Sequence, residues 1–257
     1  MLHLTGRRKH GLQEDNPKRS KEPEMRREED NSQVQQSSLI ENHGEERTSS
    51  WEGYVLIPCP KRRAKIRAFM QRVYEEYSIK APRPKHLHVL IRLNALNAVT
   101  LNAIAIGFAV DGLCHDDTIS PFSMEGPGLP NTPDSHQVLS CPRSLHPTAL
   151  QRAVPHHPWI DLFPFPKMRD NILQGIAAGF LDEDELCHDL LEVEEANQEE
   201  TPALLIWGQS WDAEGWEASV AFLKKWGWLA RGSPELLKAT NQWRTARGEK
   251  PLAFPAE

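Results

Sequence analysis

Twelve residues constrain this chain more than any others: Pro155-His156-His157-Pro158-Trp159-Ile160-Asp161-Leu162-Phe163-Pro164-Phe165-Pro166. The four prolines fix φ and remove donors, so no regular helix or central strand runs through the segment. Yet it also carries a Trp, two Phe, an Ile and a Leu, more apolar surface than a flexible linker holds. It reads as a rigid, extended belt whose aromatic side chains are buried in a neighbouring core. A recognition surface is the sharper alternative.

Helical periodicity flanks the belt. From Lys61, the residues Ile66, Phe69, Met70, Val73, Tyr74 and Tyr77 repeat at helical spacing. Lys61, Arg62, Arg63, Lys65, Arg67 and Arg72 occupy the other face. That face reads as a solvated cationic surface; phosphate contact, or docking of the acidic run at 181–200, are the alternatives. Ala81-Pro82-Arg83-Pro84 ends this helix, and a second is expected from about Lys85 to Val110. It is long enough to span a bilayer, but Arg92 and its Asn residues make a fully buried central helix the better reading. Asn94, Asn97 and Asn102 then need backbone partners, or they line a polar pocket.

Residues 123–147 are rich in Pro, Gly, Ser and Thr and read as a long surface loop. Pro147 or Thr148 stands near a helix start. Beyond the belt, Lys167–Phe180 carries Ile172, Leu173, Ile176 and Phe180 on one face. Asp182 and Glu185 form a start signal for a helix buried through Leu186, Leu190 and Val193. Ala203–Gly208 suits a short strand or a buried helical turn. Asp212 is expected to cap a helix carrying Trp216, Val220 and Leu223 and ending at Gly227. Ser233-Pro234-Glu235 opens a last helix, with Leu236, Leu237, Thr240 and Trp243 inward and Gly248 at its end. Five of the eight tryptophans lie between Trp207 and Trp228, which marks a tightly packed C-terminal module.

Residues 1–50 have no apolar period. With 9 basic and 10 acidic side chains among much Gln, Ser and Asn, they read as a disordered charged tail. Arg7-Arg8-Lys9 and Lys18-Arg19 fit either a nuclear import signal or solvated charge. The net charge of −6 argues against a general polyanion binder. Cys59, Cys114, Cys141 and Cys187 are far apart, and no signal peptide is visible. Reduced thiols in a nuclear or cytosolic compartment are expected.

Catalytic motifs are missing from the sequence. There is no Walker loop, no Gly-x-Gly-x-x-Gly and no His-Glu-x-x-His. Gly208-Gln209-Ser210-Trp211-Asp212 begins like a nucleophile elbow but has Asp where that turn needs Gly. Cys114-His115-Asp116-Asp117 lacks a metal-ligand spacing, so Asp116 and Asp117 read as cap or turn acceptors. His156 and His157 are adjacent between prolines and read as hydrogen-bonding residues ahead of a catalytic or sensing role. No catalytic, cofactor-binding or metal-ligating residue is therefore assigned, and no cofactor is expected.

Several segments together resemble a known fungal family. They are Asn94-Ala95-Leu96 through Leu101-Asn102, Asp116-Asp117-Thr118-Ile119-Ser120-Pro121-Phe122, Pro147-Thr148-x-Leu150-Gln151 and the belt from Pro155 to Pro164. The series continues in Met168-Arg169-Asp170-Asn171, Trp207-Gly208-x-x-Trp211-Asp212-x-x-Gly215-Trp216-Glu217, Lys225-Trp226-Gly227-Trp228-Leu229, Glu235-Leu236-Leu237 and Thr240-Asn241-x-Trp243-Arg244. This pattern, over roughly 65–252, resembles the fungal domain of unknown function that commonly follows a bZIP DNA-binding region. The resemblance implies a nuclear, transcription-associated role and supplies no catalytic residues. A bZIP needs a continuous basic helix and leucine heptads, and residues 1–60 show neither, with Pro17 and Pro23 interrupting the basic stretch. The chain thus reads as a solo regulatory domain, or as one lacking an upstream DNA-binding segment.

The resulting expectation is a mainly α fold. It is a single irregular helical domain over 52–252, with a proline- and aromatic-rich central belt and a disordered tail. Its expected function is a non-enzymatic regulatory, protein-interaction domain. The partner is a transcription factor or its own oligomer, with no direct sequence-specific DNA binding and no membrane. A small-molecule-sensing domain, with a pocket between the Asn-bearing helix and the belt, is the alternative, and an enzyme is the third reading. Asn94, Asn97, Asn102, Asp116, Asp117, His156, His157, Trp159, Asp161, Trp207 and Trp211 are the candidate pocket or signature residues.

Overall fold

The computed structural model describes residues 56–57, 59–110, 113, 115, 117–128, 141–193 and 201–253. The expected tail at 1–50 lies outside them, as do Cys114 and Asp116. The fold is mainly α: seven α-helices, several 3-10 turns and one two-stranded sheet among the described residues.

Helix α1 (Pro60–Ser78) starts with proline at its first position, where no donor is lost. It buries Ile66, Phe69 and Met70. The expected stripe ends there: Tyr74 and Tyr77 are 68% and 73% exposed, because the last turns run past the core. Lys61, Lys65, Arg67 and Arg72 are exposed as a solvated face requires. Arg62 instead pairs with Glu192 of the acidic run.

Helix α2 (Leu87–Ile106) closes on Gly107, whose φ of 90° a side chain would resist. The Pro84–Ile106 stretch is long and apolar enough to cross a membrane by length and composition, but 61% of its apolar window is buried inside the protein. It is not buried all round, since Leu87, Leu101 and Ile104 face outward. Asn102 is fully buried and donates to the carbonyls of Leu162 (2.8 Å) and Ser210 (2.9 Å). Asn94 donates to that of Ile206 (2.8 Å). One amide thus joins the central helix, the belt and the C-terminal loop.

Of the loop expected at 123–147, residues 141–147 are not a surface loop. Cys141 and Leu145 are buried, and Arg143–Leu145 forms a 3-10 turn. Helix α3 (Ala149–Ala153) begins in a capping box: the Gln151 amide N–H donates to Thr148 Oγ1 (3.1 Å) and the Thr148 N–H to Gln151 Oε1 (2.9 Å).

The belt is buried as expected but is not extended throughout. Pro158–Leu162 winds into a 3-10 turn, which accepts proline at its start. Ile160, Asp161, Leu162, Phe163 and Phe165 are completely buried, and Trp159 nearly so. Trp159 meets Phe163 edge-on at 5.9 Å, and Phe163 and Phe165 meet Trp216 at 6.0 and 5.8 Å.

Helix α4 (Pro166–Ala177) buries Met168, Ile172 and Leu173. Phe180 lies beyond its end, exposed, edge-on to Trp228 at 5.0 Å. Helix α5 (Glu183–Leu191) is capped by Asp182, which accepts the Glu185 N–H at 3.0 Å. Leu186, Leu190 and Val193 are buried as the pattern predicts.

The helix expected from Asp212 does not form. Asp212 caps only the 3-10 turn Ala213–Gly215, accepting from Glu214 N–H at 3.0 Å. Trp216–Ala218 is then β2, antiparallel to β1 (Leu204–Ile206), with Leu204 opposite Ala218 and Ile206 opposite Trp216. Alternation explains it: Trp216 enters the aromatic core of the belt, while Glu217 points the other way, to Trp207 and Arg247. Gly208 and Gly215 flank the hairpin so closely that a Cβ on Gly215 would stand 3.1 Å from the Gly208 Cα.

Ser219 restarts the helix as N-cap of α6 (Val220–Trp226), accepting from Phe222 N–H at 3.1 Å. Helix α7 (Pro234–Ala246) begins after Ser233, which makes no side-chain cap bond and is buried. The sheet packs between α2, on the β1 side, and α7, on the β2 side. There Thr240 Oγ1 accepts the Ala218 N–H at 3.0 Å.

Trp159→Ala should cost roughly 3–5 kcal/mol, as truncation of a buried aromatic does. Denaturant unfolding checks it, with a large fall in midpoint at unchanged slope as the expected outcome.

Candidate functional site

The polar centre is Asp161, a carboxylate with no solvent exposure. Three side chains donate to it. Ser120 Oγ bonds one oxygen. Gln151 Nε2 and His156 Nε2 share the other, His156 at 2.8 Å. Its backbone carbonyl accepts from Arg169 Nη1 at 3.1 Å. Arg169, also fully buried, further donates to the carbonyls of Ser144 (3.1 Å) and His146 (2.9 Å). Burial pushes its guanidinium down to about 10, against the attraction of Asp161 and Asp170.

His156 Nδ1 faces the Val154 carbonyl at 2.8 Å, and Nε2 faces Asp161. Both neighbours accept, so a doubly protonated imidazolium satisfies both. Burial opposes that charge, but the bond to and attraction of Asp161, with the Val154 carbonyl and Glu183, outweigh it and hold the ring above its ordinary 6.5. Local folding produces this geometry. The α3 capping box aims Gln151 inward, the prolines fix His156, and α4 brings Arg169 one turn before Ile172.

Ser, His and Asp therefore meet here, but in the wrong order for a hydrolase. Ser120 donates to the carboxylate rather than to the imidazole, and it has no exposure. A nucleophilic serine needs the base beside it and a path to substrate. This network is a polar core that binds the belt to the loop at 120, to α3 and to α4.

A groove of about 570 Å³ lies against the belt, lined by His156, His157, Trp159 and Leu162 of the belt, Leu96 of α2, and Glu183, Cys187 and Leu191 of α5. Arg62 and Glu192 stand at its rim with Asp117 and Asp184, so carboxylates outnumber cations. Trp159 Nε1 donates to Glu183 at 3.0 Å. His157 Nε2 donates to the His115 carbonyl (3.1 Å), and Nδ1 accepts from Trp159 N–H at 3.4 Å. The groove suits an apolar body with a cationic or donor group.

Of the candidate residues, Asp117, His156, His157 and Trp159 line this groove, and Asp161 lies beneath it. Asn94, Asn97 and Asn102 do not line it. The side-chain amides of Asn94 and Asn102 donate to backbone carbonyls, while the buried Asn102 Oδ1 has no hydrogen-bond partner. Trp207 and Trp211 sit on the C-terminal module instead. Trp207 stacks on Trp243 at 5.3 Å under the Arg247 guanidinium, and its Nε1 donates to Glu217 (2.8 Å). Arg247 grips Glu217 bidentately at 2.7 and 2.6 Å, a bond that with Glu249 raises its pKa. Asp116 lies outside the described residues.

Gln151, Ser120 and Arg169 are not among the candidate site residues, although all three stand in the segments that carry the family resemblance. Arg169 had a signal, since it stands at i of the i+3, i+4, i+7 stripe Ile172, Leu173, Ile176. Cys59, Cys141 and Cys187 form no disulfide. Among the described residues no three His, Cys, Asp or Glu side chains are grouped to hold a metal ion.

Asp161→Asn leaves two buried cationic groups without their counter-charge and should cost about 3–5 kcal/mol in urea unfolding. His156 tests the electrostatics separately. Its folded pKa lies above the unfolded one, so its contribution is complete below pH about 6.5 and is lost as pH rises through the folded value. The stability gap between wild type and His156→Gln should therefore narrow from pH 6 to pH 9.

No curated protein and no solved structure matches the chain. Residues 128–237, which take in α3, the belt, α4, α5, the sheet and α6, match the family model described as a domain of unknown function (DUF3425).

Proposed function

We propose that this chain is a non-enzymatic regulatory domain that acts by binding a protein partner in fungal transcription. Its work is then nuclear, with a cytoplasmic pool as the second location. The observation that carries the reading is where the chemistry lies. Ser120, His156, Asp161 and Arg169, the one place among the described residues where Ser, His and Asp side chains are seen to meet, are buried and bonded to one another and to backbone carbonyls. What the surface offers is grooves. The fungal and bZIP-linked part rests on the sequence resemblance, and the partner it points to is a bZIP-type transcription factor.

A second reading has its own observation. The belt groove, at about 570 Å³, has the size of a small-molecule site and lies between the central helix and the belt. A sensing domain would take there a ligand with an apolar body and a cationic head, facing Glu183 and Asp184.

Fluorescence anisotropy on labelled DNA, with the chain alone and with a bZIP factor, tests the first reading. The isolated chain is expected to show no sequence-selective binding, and to bind the factor itself. Tight, selective DNA binding by the chain alone would overturn it.

A further inference from the structure

The second large groove, of about 920 Å³, lies against the start of α4, α6, the 3-10 turn Gly227–Ala230 and α7. Its apolar lining includes Leu223, Trp228 and Leu237, all partly exposed. Among the described residues its charged lining is entirely basic: Lys167, Lys224, Lys225 and Arg231. Lys225 is already neutralised by Glu185 (2.7 Å) and Asp189 (2.6 Å). Lys167, Lys224 and Arg231 are exposed and form no ion pair among the described residues.

Three cations that have no ion pair among the described residues, beside an apolar lining, stand out on a chain whose net charge is −6. They come from three elements, α4, α6 and the segment before α7, so they are not a run along one helix face. An occupant must bring apolar side chains for the floor and carboxylates for the rim. An amphipathic segment with Leu or Phe at i, i+3, i+4 and i+7 and acidic residues between them does both. Lone anions would leave the floor wet, and neutral apolar peptides would leave the cations unanswered.

We propose that this basic groove is the docking site for an acidic amphipathic segment of a partner protein. The proposal rests on the protein-interaction reading above and specifies where and with what chemistry it operates. Lys167, Lys224 and Arg231 steer and orient the segment. Leu223, Trp228 and Leu237 receive its apolar anchors, which supply most of the affinity.

The test uses the full chain and a fluorescein-labelled peptide of about 15 residues carrying Leu and Phe at that spacing and Asp or Glu elsewhere. Anisotropy should show binding that weakens with added salt. The Lys224→Glu/Arg231→Glu double variant should weaken it at least about tenfold while its thermal unfolding stays unchanged, both side chains being exposed. A charge-swapped peptide, with Lys for the acids, should regain binding to that variant and not to wild type. Equal binding of the acidic peptide by wild type and variant, no binding by wild type, or preference for dodecanoate over the peptide would each overturn the proposal. Measuring a bZIP factor against the same variant separates the two claims. Undiminished binding of the factor removes this groove as the site and leaves the interaction reading standing, whereas absence of factor binding by wild type removes the reading itself.

Discussion

A buried carboxylate is the constraint on which this fold turns. Asp161 is cut off from water at the middle of a segment that could otherwise be all apolar. An ionised carboxylate in such surroundings is tolerated only with a full set of donors. Meeting that need recruits Ser120 from an upstream loop, Gln151 from a capping box, and His156 from the same belt. Arg169 adds a second buried charge whose other donors hold the turn at 144–146. Four separate pieces of chain are located by one network, and misplacing any piece strands a charged or polar group. Such a network is worth less as raw stability than as a condition on structure, because wrong arrangements are penalised more than the right one is rewarded.

Neutral amides repeat the device further out. Asn102 ties the central helix to the belt and to the loop after β1, and Asn171 ties α4 to the carbonyls of Leu229 and Arg231. Each satisfies two carbonyls that no helix or sheet could pair. The 3-10 turns and short strands of the C-terminal half are thereby fixed without long regular elements. Trp216 then fills the space between the two belt phenylalanines, so the polar and aromatic parts of the core lock the same segments. Outside this network the described surface carries two large grooves, one with mostly acidic and one with basic charged lining.

Much of this is legible in the sequence where the cause is local. Thr148 and Asp182 set helix starts through their own backbone and side-chain geometry. Repeats such as Leu186, Leu190 and Val193 find the core because one helix face must be buried. The errors fall where the decision is remote. Trp216 has helical spacing with Val220 and Leu223, yet pairing with Leu204–Ile206 and the grip of Arg247 on Glu217 draw it into a strand. Tyr74 and Phe180 belong to apolar stripes that run beyond the surface available to cover them.

The same division holds for the site. Composition and spacing by themselves determined a mainly helical chain and a buried belt, since prolines and clustered aromatics restrict the backbone wherever they stand. Only the tertiary structure decided that Ser120, Gln151 and Arg169 meet at Asp161, that the Asn102 amide bonds the belt and the loop after β1, and that Lys167, Lys224 and Arg231 share one apolar groove. Those meetings join residues far apart in the chain, and a side chain's partner across such a distance is set by how the helices pack, which no local pattern encodes.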